Sequence, residues 1–193
     1  MTEIQNPTDR QQRVDKLNTR VAISVALLSV TMAICKVKDD NICQAMQFTK
    51  ASAVDTWNEY QAKKIKQHID EQSLAQIEIL EPTLPGPSRE AAATHIKSLR
   101  ADISRYQSEE LTLKAKAEGA DKAYDDLNFK DDQFDLSDAA LSVSLGMMAV
   151  SALAASSSLL AFSWVFAAIG GFFGAAAFSG WSVHPDWLIK FLS

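Results

Sequence analysis

The sequence predicts an all-α membrane protein with three transmembrane helices and a long antiparallel coiled-coil helical hairpin between the first and second. No Asp, Glu, Lys or Arg occurs in the 45 residues from Ala139 to Val183. A second apolar run, Val21–Cys35, lies near the N-terminus. Fourteen of the 19 basic and 20 of the 24 acidic residues fall between Lys36 and Asp138. The chain is therefore organised as one charged segment between two apolar segments.

The first predicted span covers residues 21–37 and follows a basic segment, residues 1–20. The apolar run is short for a span, which needs about 20 residues, but Arg20 and Lys36 can extend their side chains outward from its ends. A basic leader with a short apolar run also describes a signal peptide. No small-x-small cleavage site follows Cys35, so we expect a retained transmembrane helix.

Residues 38–137 are predicted to form an extramembrane helical hairpin. Three prolines and one glycine between residues 81 and 88 are incompatible with a continuous helix. We expect helices over 40–80 and 88–137. The second helix carries a heptad pattern typical of a coiled coil, at Ile96, Leu99, Ile103, Tyr106, Glu110, Leu113, Ala117, Ala120, Tyr124, Leu127, Asp131 and Phe134.

The first hairpin helix has apolar residues on more than one face. One stripe contains Ile42, Met46, Thr49, Ala53, Trp57 and Tyr60. Other apolar residues drift away from that stripe, at Ile65, Ile69, Leu74, Ile77 and Leu80. A hairpin within one chain uses one stripe, so the surplus predicts contact with another subunit or protein.

The charge-free run is too long for one span, because 45 residues of helix extend about 67 Å, roughly twice the hydrocarbon thickness. The triplet Ser156–Ser158 divides it, and we expect spans over 138–155 and 159–180. Residues 181–193 predict an amphipathic tail. Basic residues concentrate before the first span, which places the N-terminus in the cytoplasm and the hairpin outside.

No pattern indicates chemistry, and we expect no catalytic, cofactor or metal residues and no enzyme activity. The three histidines, His68, His95 and His184, lack a metal-ligand spacing. Cys35 and Cys43 lie about 12 Å apart on one helix, too far for a disulfide within the chain. A net charge of −5 argues against nucleic-acid binding.

The run Trp57-Asn58-Glu59-Tyr60-Gln61-Ala62-Lys63-Lys64-Ile65-Lys66-Gln67-His68 resembles the signature of a bacterial membrane family, domain of unknown function 4337. The resemblance covers residues 18–181 and implies the same order: basic N-terminus, one span, long hairpin, then two closely spaced spans. It implies no activity. Members often carry basic residues in the last turn, where this chain has Ser156–Ser158.

Two sets of residues are candidates for interaction. Trp57, Tyr60, Gln61, Lys63 and Lys66 form either a recognition patch for an anionic partner or a helix-packing surface beside a solvated basic face. Gly170 and Gly174 form a Gly-xxx-Gly face that lets helices approach closely, either within the chain or between subunits.

The expected function is a self-assembling, homo-oligomeric structural or scaffold protein of the bacterial inner membrane, with membrane lipid and its own copies as partners. One alternative is a passive pore lined by Ser142, Ser144 and Ser151. Another is an accessory subunit that docks on a second membrane protein through Trp57 and Tyr60.

Overall fold

The computed structural model describes residues 7–181 and 183, and that part of the chain is helical except for the two reversals and its last residues. Helix α1 spans Pro7–Leu80, α2 spans Gly86–Leu153 and α3 spans Ser157–Ser179. A short 3-10 turn, Glu81–Thr83, lies between α1 and α2. All three helices contain a window long and apolar enough to cross a membrane. The predicted amphipathic tail lies outside the described residues except for Trp181 and Val183.

The helices are longer than the sequence indicates. The expected boundaries at residues 37/38 and 137/138 are changes in composition but not helix ends, because α1 and α2 continue through both. No glycine or proline occurs between Val37 and Leu80, so nothing interrupts the backbone hydrogen bonds of α1. The first span and the first hairpin helix are therefore one helix, and the same holds for α2.

Both chain reversals follow from local backbone chemistry. Leu84 is extended (φ −81°, ψ 145°), as expected for a residue that precedes a proline. Between α2 and α3, Ala155 takes a left-handed conformation (φ 48°), and the Ser156 N–H donates to the Ser151 carbonyl. Helix α3 ends at Gly180 in the left-handed region (φ 69°), the usual position for glycine.

The chain divides into two compact units. The three-helix unit contains the described residues up to Ala45 and from Asp126 onward, and the hairpin unit contains Met46–Asp125.

The hairpin unit confirms the predicted helical pair. Every heptad position from Ile96 to Tyr124 is buried or half-buried, and Ala117 is completely inaccessible. Ala53 and Thr56 are the most buried residues on the α1 side. Ion pairs between the helices flank this core, joining Lys63 to Glu109, Lys64 to Glu110 and Arg100 to Glu78.

The three-helix unit extends the heptad pattern along α2 with serines at every second position. Six buried residues at alternating three- and four-residue steps are at most 1% exposed: Phe134, Ser137, Leu141, Ser144, Met148 and Ser151. At the start of this series the spacing changes, because two successive three-residue steps lead from Asp131 to Phe134 and from Phe134 to Ser137. The repeat therefore gains three residues here, a shift that locally overwinds a coiled coil.

Each of the three α2 serines donates a hydrogen bond to a backbone carbonyl beyond its own helical turn. Ser137 Oγ donates to Gly170 O and Ser144 Oγ donates to Ser163 O, both at 2.8 Å. Ser151 Oγ donates to Ser156 O in the turn, also at 2.8 Å. These bonds satisfy the buried hydroxyls and hold α2 and α3 in one register.

The spacing between α2 and α3 predicts different effects for two adjacent glycines. A Cβ on Gly170 would lie 2.7 Å from Leu141 Cγ and 3.0 Å from the Ser137 carbonyl oxygen. Gly170→Ala should therefore destabilise the protein by about 1–3 kcal/mol through overpacking. Thermal unfolding of the detergent-solubilised chain, followed by circular dichroism, measures this effect.

The matched control is Gly171→Ala, because a Cβ on Gly171 meets no atom within 4 Å. That substitution should be neutral, or stabilising by up to about 1 kcal/mol through helix propensity. Equal unfolding temperatures for the two variants would contradict the described packing.

Candidate functional site

Five residues of the family signature on α1 form what we call the signature face: Trp57, Tyr60, Gln61, Lys63 and Lys66. Some of them pack against α2 and the others face solvent. Trp57 is half-buried, and its Nε1–H donates to Asp121 Oδ2 of α2 at 2.8 Å. Tyr60 packs edge-on against Trp57, with ring centroids 5.5 Å apart. The two aromatic side chains therefore form part of the contact between the hairpin helices.

The lysines and the glutamine of this face are placed differently. Lys63 pairs with Glu109 and lies 5.7 Å from the Tyr106 ring centroid, and its ammonium lowers the pKa of the Glu109 carboxyl. Gln61 and Lys66 are exposed. The structure thus brings Trp57, Tyr60 and Lys63 against α2 and leaves the other two residues on the surface.

Gly170 and Gly174 lie inside the three-helix unit. A Cβ on Gly174 would approach Ser137 Oγ at 3.0 Å and Cys35 Sγ at 3.2 Å. Both glycines are buried, so they permit close contact within the chain. Of the serines considered for a pore lining, Ser144 and Ser151 are buried and bonded to backbone carbonyls, while Ser142 is exposed.

A polar cluster that the sequence analysis did not identify lies in the three-helix unit. Asp39 and Cys43 are one turn apart on α1, and Asp131 faces them from α2; we call these three residues the Asp–Cys cluster. Each residue contributes one atom that could bind a metal ion, a carboxylate oxygen or the cysteine sulfur, and these three atoms lie within 4.8 Å of one another. Cys43 Sγ donates to Asp131 Oδ1 at 3.1 Å.

Asp39 is the most buried member of the Asp–Cys cluster. Its side chain is 6% exposed, and Oδ2 accepts a hydrogen bond from Lys36 Nζ at 2.8 Å. Its other oxygen, Oδ1, is buried and has no hydrogen-bond partner among the described residues. An unpaired buried carboxylate oxygen is costly, so this atom calls for an explanation.

Burial and neighbouring charge shift the titration of the cluster. Loss of solvent, and then the Asp39 and Asp132 charges, raise the pKa of Asp131. The hydrogen bond to Asp131, followed by burial, raises the pKa of the Cys43 thiol to about 11. Asp135 also has a raised pKa, through loss of solvent and the Asp131 and Asp39 charges. The cluster therefore holds more negative charge than Lys36 balances.

Sequence reasoning missed the cluster because its members come from two helices. Cys43 and Asp131 are 88 residues apart in the sequence. One signal was present. Asp131 and Glu110 are the two carboxylates in a heptad series that is otherwise apolar or aromatic, and a carboxylate at such a position faces the partner helix. Of the histidines, His68 lies outside the cluster: it is exposed on α1 and contacts Glu71, which is half-buried.

Removal of one charge from the cluster should stabilise the metal-free protein. A carboxyl whose pKa is raised on folding favours the protonated form in the folded state, so its contribution to stability falls as the pH rises through that raised pKa. At neutral pH, Asp131→Asn should therefore raise the unfolding temperature by roughly 2–4 °C, which corresponds to about 1 kcal/mol.

The difference between Asp131→Asn and the unmodified chain should shrink as the pH falls through the raised pKa of Asp131, because the carboxyl then becomes protonated in the folded protein. Asp40→Asn is the control, because the Asp40 side chain is 61% exposed. A lower unfolding temperature for Asp131→Asn at neutral pH, after treatment with a chelator, would contradict the predicted repulsion.

The indole hydrogen bond of the signature face should couple Trp57 to Asp121. In a double-mutant cycle with Trp57→Phe and Asp121→Ala, the coupling energy should be about 1 kcal/mol. Thermal unfolding of the four proteins measures it. A parallel cycle with Asp125→Ala, an exposed carboxylate nearby in the sequence, should show no coupling; equal coupling in both cycles would argue against the bond.

Comparison with known proteins agrees with the resemblance in the Trp57–His68 signature. The family model described as "Domain of unknown function (DUF4337)" matches residues 17–180. No curated protein and no solved structure matches the chain. Because the family model covers most of the sequence, from Leu17 in α1 to Gly180 after α3 and including the whole hairpin unit, the chain belongs to the DUF4337 family.

Proposed function

We propose that this protein is a self-assembling, homo-oligomeric scaffold protein of the bacterial inner membrane. It crosses the membrane three times, with the N-terminus in the cytoplasm and the hairpin unit in the periplasm. The observation that carries the assembly proposal is an exposed, charge-free face on the hairpin portion of α1.

The three-helix unit has the distribution of polarity that suits a lipid environment. Its interior contains five buried serines, Ser24, Ser137, Ser144, Ser151 and Ser163. Its surface carries large apolar side chains that are 42–61% exposed, among them Leu27, Ile34, Phe162, Val165, Ile169 and Phe172. Water would penalise such a surface, whereas hydrocarbon would not, and serine-to-carbonyl bonds are a common means of helix association in membranes.

The length of α3 supports the same proposal. Its 23 residues extend about 34 Å, close to the thickness of the hydrocarbon core. The orientation rests on the positive-inside rule. Four basic residues precede the first apolar run, at Arg10, Arg13, Lys16 and Arg20, whereas the turn between α2 and α3 has none.

The charge-free face runs along α1 of the hairpin unit at steps of three and four residues. It consists of eight exposed residues: Val54, Asn58, Gln61, Ile65, Ile69, Gln72, Gln76 and Leu80. Its four aliphatic side chains are 48–60% exposed. Val54 and Ile65 are eleven residues apart, and so are Ile69 and Leu80. Eleven residues make three helical turns, so all four side chains stay on one face.

A second copy of this chain is the partner that this face fits best. The surrounding segment is rich in charge, so a face of eight residues without Asp, Glu, Lys, Arg or His, extending over residues 54–80, stands apart from it. Two copies of the face bury no unpaired charge against each other, and the amides of Asn58, Gln61, Gln72 and Gln76 can pair across a symmetric interface. Gln61 of the family signature lies on this face.

A charge placed at the centre of the face should dissociate the assembly. Ile65→Glu would bury a carboxylate without a partner, which costs about 2 kcal/mol or more and weakens association at least about thirtyfold. Native mass spectrometry of the detergent-solubilised protein should show a multiple of 21.1 kDa for the unmodified chain and a shift toward the monomer for the variant.

Leu111→Glu is the matched control, because Leu111 is 73% exposed in the same unit but lies on α2. This variant should retain the oligomer. A single chain in the unmodified sample would refute self-assembly, and a single chain bound to another polypeptide would identify an accessory subunit instead.

A further inference from the structure

We propose that the Asp–Cys cluster is a binding site for a divalent transition-metal ion of the zinc class. The ligands are a carboxylate oxygen of Asp39, Sγ of Cys43 and a carboxylate oxygen of Asp131. The proposal is independent of self-assembly, since all three ligands belong to one chain and to its three-helix unit.

The geometry of the cluster is close to that of a tetrahedral zinc site. Zinc binds thiolate at about 2.3 Å and carboxylate oxygen at about 2.0–2.2 Å, which places neighbouring ligand atoms roughly 3.3–3.6 Å apart. The three donor atoms of the cluster lie within 4.8 Å of one another, and the Cys43 Sγ–Asp131 Oδ1 pair is already at 3.1 Å.

The unpaired oxygen of Asp39 is the second observation that points to a cation. The Asp39 side chain is only 6% exposed. Its Oδ1 atom accepts no hydrogen bond from any of the described residues. The carboxylate belongs to the group of donor atoms that surround a common point. A metal ion at that point supplies the positive partner that a buried carboxylate needs.

The surrounding charge also favours a cation. Asp135 and Asp132 on α2 add negative potential to the cluster, and Lys36 on α1 is the basic residue that opposes it. Zinc binding replaces the Cys43 proton: the Sγ–H bond breaks, an Sγ–zinc bond forms and the proton passes to solvent. The net change of one positive charge reduces the excess negative charge of the site.

The ligand types select the metal. A thiolate with two carboxylates suits zinc or cobalt, whereas calcium and magnesium prefer oxygen ligands alone. Three protein ligands leave the fourth tetrahedral position to water, as in open zinc sites. The i, i+4 spacing of Asp39 and Cys43 places two ligands on one side of a single helix turn.

The test uses the full-length, detergent-solubilised protein, stripped of metal with a chelator and kept reduced. Equilibrium dialysis against zinc should give one ion per chain, with release of one proton per ion in a weakly buffered solution. Titration with cobalt should produce the near-ultraviolet absorption of a thiolate-to-cobalt charge transfer. Absence of that absorption in the unmodified chain would overturn the proposal.

Two pairs of matched variants locate the site. Cys43→Ser should abolish the charge-transfer absorption and weaken zinc binding at least about tenfold, whereas Cys35→Ser should leave both unchanged. Asp39→Asn should weaken zinc binding to a similar extent, whereas Asp40→Asn, next to it but exposed, should not. Circular dichroism confirms that each variant is helical. Zinc bound equally by Cys43→Ser and the unmodified chain would also overturn the proposal.

Discussion

The close approach of α2 and α3 is the constraint on which the three-helix unit depends. At Gly170 the two backbones come near enough for Ser137 Oγ to reach the Gly170 carbonyl at 2.8 Å, and a Cβ there would collide with Leu141. The heptad spacing of Ser137, Ser144 and Ser151 repeats such contacts along the helix. Hydroxyl-to-carbonyl bonds then satisfy the serine side chains, so the interior can be polar while the surface is apolar.

The same register accounts for the position of the Asp–Cys cluster. The three-residue shift between Asp131 and Ser137 marks the change from a seam that contains a carboxylate to one that contains serines. Asp131 precedes this shift and keeps the heptad step from Leu127, so its side chain faces α1. It meets Asp39 and Cys43, where the loss of solvent makes both unpaired oxygens and like charges costly.

The hairpin unit depends on a different balance. Its most buried residues are Ala53, Ala117 and Leu99, the half-buried Trp57 packs beside them, and ion pairs flank this core. The heptad pattern in α2 predicted this core, because residues at three- and four-residue steps share one helix face. Of the five apolar residues that drift from the stripe, Ile65, Ile69 and Leu80 are exposed, whereas Leu74 and Ile77 are half-buried.

The sequence alone determined the helical class, the proline-rich reversal at residues 81–88, the serine break and the helix faces that pair, because these follow from local backbone preferences and periodicity. It also determined the family, through the run that begins at Trp57. Only the tertiary structure decided that α1 and α2 continue through the changes in composition, because the absence of glycine and proline at those boundaries permits a continuous helix but does not require one. It alone brought Asp39 and Cys43 to Asp131, because contacts between residues 88 apart depend on helix register and not on any pattern within one segment.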